Sequence, residues 1–196
     1  MSKLVLVTGG TRGIGAAIAK RLKDDGNEVI STFIGQEEAA KKYTEETGIK
    51  TYKFDVGYFE SCQKGIEEVE KSTGKTVDVL INNAGITRDR FLHKMSVDEW
   101  NAVINTNLNS VFNMTRCVIE KMRAKGYGRI INISSINGIK GQIGQANYSA
   151  AKAGLIGFSK AVAQENANKG ITVNVIAPGY VGTEIGRAHV WTPVTL

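Results

Sequence analysis

A serine, a tyrosine and a lysine in the second half of the chain have the types and spacing of a proton-transfer site. Tyr148 and Lys152 are four residues apart, so on a helix they share one face, and Ser135 precedes the tyrosine by thirteen residues. A free phenol has a pKa of about 10, and a fixed ammonium beside it lowers that pKa by favouring the phenolate. We predict that Tyr148 moves a proton while Ser135 donates to a substrate oxygen that gains charge. A Tyr and a Lys at this spacing are equally typical of an amphipathic helix without a catalytic role.

A glycine-rich segment near the N-terminus has the composition of a phosphate-binding loop. It reads Thr8-Gly9-Gly10-Thr11-Arg12-Gly13-Ile14-Gly15 and lies between an apolar run and a helical pattern. Glycine lets the backbone approach a pyrophosphate closely, and the positive end of the following helix favours that anion. Arg12 adds a cation. The residues predicted to bind a dinucleotide here are Gly9, Thr11, Arg12, Gly13, Ile14 and Gly15.

The residues after the second apolar run indicate which dinucleotide is bound. NAD-binding sheets place an Asp or Glu there to hold the ribose 2′-hydroxyl. In this sequence the run Ile30-Ser31-Thr32-Phe33-Ile34-Gly35 contains no acid, and the first one is Glu37. Without a carboxylate to repel it, a 2′-phosphate is permitted and Arg12 is a suitable partner, so the sequence favours NADP(H) over NAD(H). Asp55, after the third run, is suited either to accept from the adenine amino group or to shape a turn.

The fourth apolar run ends in the tetrapeptide Asn82-Asn83-Ala84-Gly85. Two Asn side chains with small neighbours are suited to closing a cofactor cleft and to tying adjacent strands together. The same tetrapeptide is also typical of a plain turn. We predict that Asn83, Ala84 and Gly85 border the cofactor.

The elements that must position these motifs alternate along the chain. Apolar runs predict strands at residues 4–7, 28–33, 49–54, 77–81, 128–133 and 171–176, and helical patterns fall at about 13–24, 36–47, 60–71, 97–125 and 148–168. Strands alternating with helices predict an α/β fold with a doubly wound parallel sheet. Ligands of such sheets bind beyond the carboxyl ends of the strands, which is where these motifs lie.

Length and composition fit one globular domain. The chain has 196 residues, of which 42% are hydrophobic and 22% charged, close to globular averages. No apolar run approaches the roughly 18 residues of a membrane span, and the first run is too short for a signal peptide. Cys62 and Cys117 lie far apart, and His93 and His189 do not complete a metal-binding spacing. We therefore expect a cytoplasmic protein with no metal and no membrane partner.

The excess of positive charge does not indicate a nucleic-acid-binding protein. Lys and Arg outnumber Asp and Glu by 25 to 19, which gives a net charge of +6, and most of these residues are dispersed. We interpret the single cluster of basic residues as the solvated end of a helix, and we expect no nucleic-acid partner. Its members are Lys121, Arg123, Lys125 and Arg129.

Taken together and in order, these motifs resemble the short-chain dehydrogenase/reductase family over about residues 3 to 184. The resemblance implies a single Rossmann-like domain that binds NADPH. It also implies a catalytic set made of Asn107, Ser135, Tyr148 and Lys152, in which the Asn breaks a long helix and the Lys also binds the nicotinamide ribose. On spacing alone, Asn105 or Asn109 would serve as well as Asn107. The segment Pro178-Gly179-Tyr180-Val181-Gly182-Thr183 matches the family's nicotinamide loop, which implies cofactor contacts from Pro178, Gly179 and Thr183.

Two segments narrow the resemblance within the family. Ile86-Thr87-Arg88-Asp89 is similar to 3-oxoacyl thioester reductases, and residues 134–148 are similar to the acetoacetyl-CoA reductases of polyhydroxybutyrate synthesis. The resemblance implies NADPH-dependent reduction of acetoacetyl-CoA to (R)-3-hydroxybutanoyl-CoA, with Tyr148 as the acid. Reduction of a carrier-protein thioester and a non-catalytic nucleotide-binding role remain alternatives. The residues expected to touch the acyl group are Gln142, Gln145 and Tyr180.

The chain departs from the family pattern after Thr183. Family members run on for roughly fifty more residues, with a substrate-covering segment and a last strand and helix. From Glu184 the sequence loses the expected helical pattern and resembles a translated sequencing adapter, so His189 and Trp191 carry no functional weight. We interpret 1–183 as a reductase domain lacking its last strand and helix, and 184–196 as a non-native tail. The resemblance implies a homotetramer for the full-length form, and an inactive fragment is the alternative for this chain.

Overall fold

The apolar runs of the sequence form a parallel sheet in the computed structural model, which describes residues 2–182. Within that range the sheet has six strands in the order β3-β2-β1-β4-β5-β6, and all its pairings are parallel. The predicted α/β fold with a doubly wound sheet is therefore confirmed. The strands are β1 (Leu4–Val7), β2 (Glu28–Phe33), β3 (Lys50–Lys53), β4 (Val79–Asn82), β5 (Gly128–Ile133) and β6 (Ile171–Ile176).

Helices connect successive strands. They are α1 (Gly13–Asp24), α2 (Glu37–Thr47), α3 (Phe59–Thr73), α4 (Val97–Ile104), α5 (Ser110–Lys125), α6 (Asn137–Lys140) and α7 (Ala146–Asn166). A wider π-helical turn, Asn105–Asn109, joins α4 to α5, and single 3₁₀ turns lie at Leu92–Lys94 and Ala167–Lys169. The sequence patterns did not predict α6 or either 3₁₀ turn. Between residues 2 and 182, none of the helices combines the length and hydropathy that crossing a membrane requires.

Apolar side chains are buried on both faces of the sheet. Leu4 and Leu6 of β1 pack in one cluster with residues of α3 and α5, whereas Val5 and Val7 pack in a second cluster with residues of α1 and α2. Because successive strand residues point to opposite faces, a strand buried on both sides must be apolar throughout. This explains why β1 appears in the sequence as an uninterrupted apolar run.

The order of the strands reverses between β1 and β4. One half of the sheet continues from β1 through β2 to β3, and the other continues from β4 through β5 to β6. Strands β1 and β4 lie side by side. Just beyond the end of β1, the backbone N–H of Thr8 donates to the carbonyl of Ile81 in β4 at 3.0 Å. The connections then diverge to opposite faces and leave a crevice at the carboxyl edge of the sheet.

A buried carboxylate anchors the opposite edge of the sheet. Asp78 is 4% exposed, accepts a hydrogen bond from the backbone N–H of Leu4 at 2.9 Å, and pairs with Lys125 at the end of α5. Burial raises the pKa of Asp78, but the Lys125 and Leu4 hydrogen bonds, together with the charges of Lys125 and Lys3, outweigh burial and hold the pKa below its usual range. Asp78 thereby joins β1, β4 and α5.

Replacing Asp78 by Asn is expected to lower the free energy of unfolding by about 1–2 kcal/mol near neutral pH, because both hydrogen bonds lose their charge. Lys125 is nearly half exposed, so solvent screening keeps the effect small. A lowered pKa in the folded state gives stability above the unfolded pKa of about 3.9, which is lost as pH falls through the folded value. Urea unfolding near neutral pH and at about pH 2 measures this; an equal difference at both would contradict the assignment.

Candidate functional site

A cavity of about 470 Å³ opens at the carboxyl edge of the sheet, between β1 and β4. This volume falls within the range of small-molecule and cofactor pockets, about 300–1,000 Å³. Its walls come from the segments that follow all six strands and from the start of α7. Every motif that the sequence singled out for its chemistry therefore contributes to this one cleft.

The glycine-rich loop forms the part of the cleft beside the N-terminus of α1. Gly9, Thr11, Arg12, Gly13 and Ile14 line it. Gly9 and Gly13 have φ angles of +60° and +54°, in the left-handed region that favours glycine. The first turn of α1 contains no acidic residue, so its positive end is available to an anion.

Gly15 does not line the cleft. Its role in the loop is to allow close packing against Asn83 and the Gly9 carbonyl. A Cβ atom placed on Gly15 would lie 2.4 Å from both Asn83 Nδ2 and the Gly9 carbonyl oxygen. The Asn83 side chain donates to the carbonyls of Thr8 and Gly9 at 3.0 and 3.1 Å. Gly15 thus makes room for the side chain that ties the β4 loop to the β1 loop.

Thr8 holds the same two loops together, and sequence reasoning gave it no role of its own. Its buried Oγ1 accepts hydrogen bonds from the backbone N–H groups of Asn83 and Ala84 at 3.0 and 3.1 Å. A threonine at the end of an apolar run is also common in ordinary strands, so the sequence carried no specific signal for this contact.

The wall after β2 is uncharged. It consists of Thr32, Phe33, Ile34, Gly35 and Gln36. Glu37 lies outside the lining residues and pairs with Lys53, whose hydrogen bond and charge hold the pKa of that carboxyl below its usual range. Asp55 also lines the cleft, and its Oδ1 accepts from the backbone N–H of Gly57 at 2.8 Å, as in a turn-forming Asp.

Ser135, Tyr148 and Lys152 come together at the other end of the cleft, and all three line it. Ser135 follows β5, Tyr148 lies in the first turn of α7, and Lys152 lies one turn later on the same face. The Ser135 side chain lies close enough to the Tyr148 hydroxyl to lower the pKa of Tyr148 by hydrogen bonding. The buried Lys152 ammonium donates to the Ile133 carbonyl at 2.7 Å and lies 5.6 Å from the centre of the Tyr148 ring.

The proton affinities of this pair differ from the sequence expectation. Burial raises the pKa of Tyr148, the Ser135 hydrogen bond lowers it, and the charge of Asp89 raises it, with a net increase above the usual value. Burial also lowers the pKa of Lys152, to about 8. Lys152 is not among the groups that shift the pKa of Tyr148, and its buried ammonium donates instead to the Ile133 carbonyl. The protein therefore holds Tyr148 as a phenol.

Asn107 lies in the π-helical turn and is fully buried. Its Oδ1 accepts from the backbone N–H of Ile86 at 2.8 Å, and its Nδ2 donates to the Ile86 carbonyl at 2.9 Å. A Cβ on Gly85 would lie 3.3 Å from Asn107 Oδ1 and 3.7 Å from Lys152 Nζ, so both side chains border Gly85. Asn105 and Asn109 are exposed and hydrogen-bond to each other at 2.7 Å. Of the three candidates, the structure brings Asn107 to the site.

The residues predicted to touch an acyl group divide into two kinds. Gln145, which is buried, and Tyr180, which is 61% exposed, both line the cleft, as do Pro178 and Gly179. Gln142 is exposed and is not among the lining residues, so the structure does not bring it to the cleft. The cause is the loop geometry, since Gly141 and Gly144 adopt φ angles of +73° and +76° and turn the segment between them outward. Thr183 lies outside the described residues.

Cys62 and Cys117 lie on α3 and α5, and neither lines the cleft. Burial is the main cause that raises the pKa of the Cys62 thiol to about 12 and that of Cys117 to about 11. Both are therefore protonated near neutral pH and poor nucleophiles. Residues 2–182 contain no group of three or more His, Cys, Asp or Glu side chains arranged to hold a metal ion.

The described residues fit a dinucleotide. The β1 and β4 loops approach so closely that a Cβ on Gly9 would lie 3.1 Å from the Ala84 Cα, which leaves bare backbone facing the ligand space. Backbone N–H groups at the start of α1 favour a pyrophosphate. The cleft continues from this anion site to the Ser135–Tyr148 pair, so one elongated ligand can reach both.

Comparison with known proteins agrees with this geometry. The family model for short chain dehydrogenases matches residues 3–191. The chain is 61% identical over 188 residues to an acetoacetyl-CoA reductase of Shinella zoogloeoides, covering 96% of this chain and 78% of the relative. It is 60% identical to the Paracoccus denitrificans acetoacetyl-CoA reductase, covering 96% and 77%. It is 49% identical to the Salmonella typhimurium 3-oxoacyl-(acyl-carrier-protein) reductase, covering 95% and 76%. The chain therefore belongs to the short-chain dehydrogenase family, whose members are oxidoreductases with a nicotinamide cofactor.

Proposed function

We propose that the protein reduces acetoacetyl-CoA to (R)-3-hydroxybutanoyl-CoA with NADPH. The observation that carries the proposal is the convergence of Ser135, Tyr148 and Lys152 on one end of a cleft whose other end is a glycine-rich anion site. Two relatives at 60% identity or more are named for acetoacetyl-CoA reduction, which supports the choice of substrate.

The cofactor would be held along the length of the cleft. The loop from Gly9 to Ile14 would bind its pyrophosphate at the positive end of α1, and Lys152 and Tyr148 would contact the ribose beside the reacting ring. The uncharged wall after β2 supports NADPH, because a 2′-phosphate there meets no free carboxylate. The bound nicotinamide supplies the hydride for the reduction.

Tyr148 acts as the general acid in this proposal. Its raised pKa keeps the phenol protonated near neutral pH, which is the state needed to give a proton to the ketone oxygen. The Ser135 hydroxyl contacts the same oxygen and stabilises the negative charge that grows there. Lys152, with a pKa of about 8, carries the next proton on the same helix face. Asn107 supports this arrangement by fixing the backbone of Ile86 beside Gly85.

A second candidate function is reduction of a 3-oxoacyl group carried on an acyl carrier protein. The Salmonella relative carries that name at 49% identity, and the same proton-transfer residues would serve both thioesters. The two functions differ in the molecule that presents the acyl group and not in the chemistry at Tyr148.

NADPH oxidation, followed with acetoacetyl-CoA and with acetoacetyl carrier protein in parallel, tests the proposal. We expect oxidation with both, and a higher kcat/KM for the CoA thioester. A clear preference for the carrier-protein thioester would select the second candidate. Binding of NADPH without oxidation in either reaction would refute the proposed reduction.

A further inference from the structure

Three polar side chains form a hydrogen-bonded chain behind the proton-transfer site. Asn137 Nδ2 donates to Gln145 Oε1 at 2.9 Å, and Gln145 Nε2 donates to Asp89 Oδ2 at 2.9 Å. Asn137 is 7% exposed and Gln145 is 3% exposed, and both line the cleft. Asp89 lies in the segment between β4 and α4, Asn137 begins α6, and Gln145 precedes α7. These hydrogen bonds therefore connect two cleft-lining residues, Asn137 and Gln145, to the segment between β4 and α4.

The carboxylate gives this chain its direction. An ionised carboxylate only accepts hydrogen bonds, so Gln145 must turn its NH₂ group toward Asp89 and its oxygen toward Asn137. Asn137 must then present its own NH₂ group to Gln145. The Asn137 Oδ1 atom is left buried with no hydrogen-bond partner among the described residues. Turning the Asn137 amide over would place that oxygen against Gln145 Oε1, two acceptors face to face, so the direction persists.

The chain ends on Ser135. The backbone N–H of Asn137 donates to Ser135 Oγ at 3.1 Å. A serine hydroxyl has one hydrogen to donate, and with Oγ already accepting from Asn137 that hydrogen is directed to the other side, where Tyr148 and the substrate space lie. The position of the Asn137 backbone thus determines the direction in which Ser135 donates, and the Asn137 side chain ties that backbone to Gln145.

Two hydrogen bonds, one on either side of Asp89, hold residues 88–90 against residues 144–147. The Arg90 N–H donates to the Gly144 carbonyl at 2.8 Å, and Asn147 Nδ2 donates to the Arg88 carbonyl at 3.0 Å. The bond between Asp89 and Gln145 lies between these two contacts. A substitution of the Asp89 carboxylate therefore changes how the Gln145 and Asn137 amides are oriented. The two loop segments stay together, because the flanking hydrogen bonds remain.

We propose that Asp89 is a positioning residue: its carboxylate orients the Gln145 and Asn137 side chains, and this tether holds in place the Asn137 backbone N–H that directs the Ser135 hydroxyl toward Tyr148. The inference rests on the proposed reductase function for its catalytic consequence. Asp89 need not touch the substrate or the reacting atoms; it acts through Gln145 and Asn137.

The charges around Tyr148 agree with this role. Burial raises the pKa of Tyr148 and the negative charge of Asp89 raises it further, which favours the protonated phenol. Arg88 and Arg90 flank Asp89, but Arg90 is paired with Glu99 at 3.0 Å and Arg88 Nη1 donates to the Thr87 carbonyl. On α7, the charged group facing the tyrosine is Lys152.

Asp89→Asn changes the shape of the side chain little, but an Asn can present either an oxygen or an NH₂ group to Gln145. The orientation of the Gln145 and Asn137 amides is then no longer fixed. The double variant Asp89→Asn with Gln145→Glu restores it: the new carboxylate accepts from both neighbours, so Asn137 again donates. Asp25→Asn is the matched control, because it removes the same charge from an exposed carboxylate paired with Arg21.

Two measurements test the proposal, and the first needs no substrate. Hydrogen exchange of the Asn137 side-chain NH₂ group, followed by NMR, should be slow in the wild type and the double variant and faster in Asp89→Asn. In the reductase assay, Asp89→Asn should lower kcat by about tenfold with the KM for NADPH unchanged, and the double variant should recover part of the loss. Asp25→Asn should match the wild type in both.

The outcomes distinguish a failure of the positioning role of Asp89 from a failure of the proposed reductase function. Wild-type exchange and wild-type kcat in Asp89→Asn would overturn the positioning role. A wild type that does not reduce acetoacetyl-CoA, combined with the expected exchange pattern, would refute the proposed function and leave the directed chain established. If Asp89→Asn lowers kcat tenfold and the double variant does not recover it, orientation of the Gln145 and Asn137 amides is not the cause. Asp89 would then act only through its negative charge beside Tyr148.

Discussion

Replacing Tyr148 by Phe is expected to lower kcat for acetoacetyl-CoA reduction by about 10²–10⁴-fold, the usual contribution of a general acid. The substitution removes one oxygen atom and keeps the ring, so the packing at the start of α7 is preserved. The anion site lies at the other end of the cleft, so NADPH affinity should be nearly unchanged. Stopped-flow NADPH oxidation gives kcat, and quenching or enhancement of NADPH fluorescence gives the affinity.

Tyr127→Phe provides the matched control for that experiment. Its ring lies at the amino edge of the sheet, 3.8 Å from Lys3 Nζ and 4.4 Å from the Arg129 guanidinium, and is not among the cleft-lining residues. The control should retain wild-type kcat. Unchanged turnover in Tyr148→Phe would remove this residue from the role of acid and would direct attention to Ser135 or Lys152.

Replacing Phe33 by Asp is expected to reduce the preference for NADPH over NADH by about 100-fold or more. Phe33 is the last residue of β2 and lines the cleft, at the point where NAD-binding sheets carry an acid. A carboxylate facing a 2′-phosphate costs several kcal/mol, and every 1.4 kcal/mol is about tenfold in affinity. The ratio of kcat/KM for the two cofactors measures the effect.

Phe33→Asn separates charge from loss of the aromatic ring. It should weaken both cofactors to a similar degree and leave their ratio close to that of the wild type. If the Asp and Asn variants change the ratio equally, the uncharged wall after β2 does not determine cofactor choice, and Arg12 becomes the residue to substitute next.

Much of the fold could be predicted because both faces of the sheet are buried. The bounds of β1, α1, β2, β5 and β6 agree with the sequence patterns. The predicted fourth strand at 77–81 is observed at Val79–Asn82, since Val77 and Asp78 are buried for other reasons, the latter as the anchor of Leu4. Helix α6 has only four residues, including Gly138, and is too short to show a helical period.

The site could be predicted where chemistry depends on residue type and spacing. Tyr148 and Lys152 share a face of α7 because their separation is one helical turn, and Ser135 meets them because β5 ends at the same edge of the sheet. Asn107 was one of three equal candidates on spacing, and all three lie in the π-helical turn. Burial and the two hydrogen bonds to the Ile86 backbone distinguish Asn107.

What could not be predicted depends on contacts between residues distant in the chain. Thr8 accepts from backbone groups 75 and 76 residues away, and Gln145 meets Asp89 across 56 residues. Neither contact has a local pattern. Gln142 points away from the cleft because Gly141 and Gly144 adopt positive φ angles. Glycine permits such angles without requiring them, so the sequence alone did not predict this turn.

The π-helical turn also acts as a phase correction within one long helix. The buried side of α4 and α5 passes through Val103, Asn107, Val111, Met114, Val118 and Met122. These positions repeat five times over 19 residues, whereas five turns of an ideal α-helix take about 18. The extra residue is absorbed where Asn107 lies, as wider turns allow. If the same residues were wound as a regular α-helix without the wider turn, everything beyond Asn107 would be rotated by about 100° and the core side of α5 would turn away from the sheet. The same local irregularity therefore keeps Asn107 beside Ile86 and keeps the rest of the helix in register with the sheet.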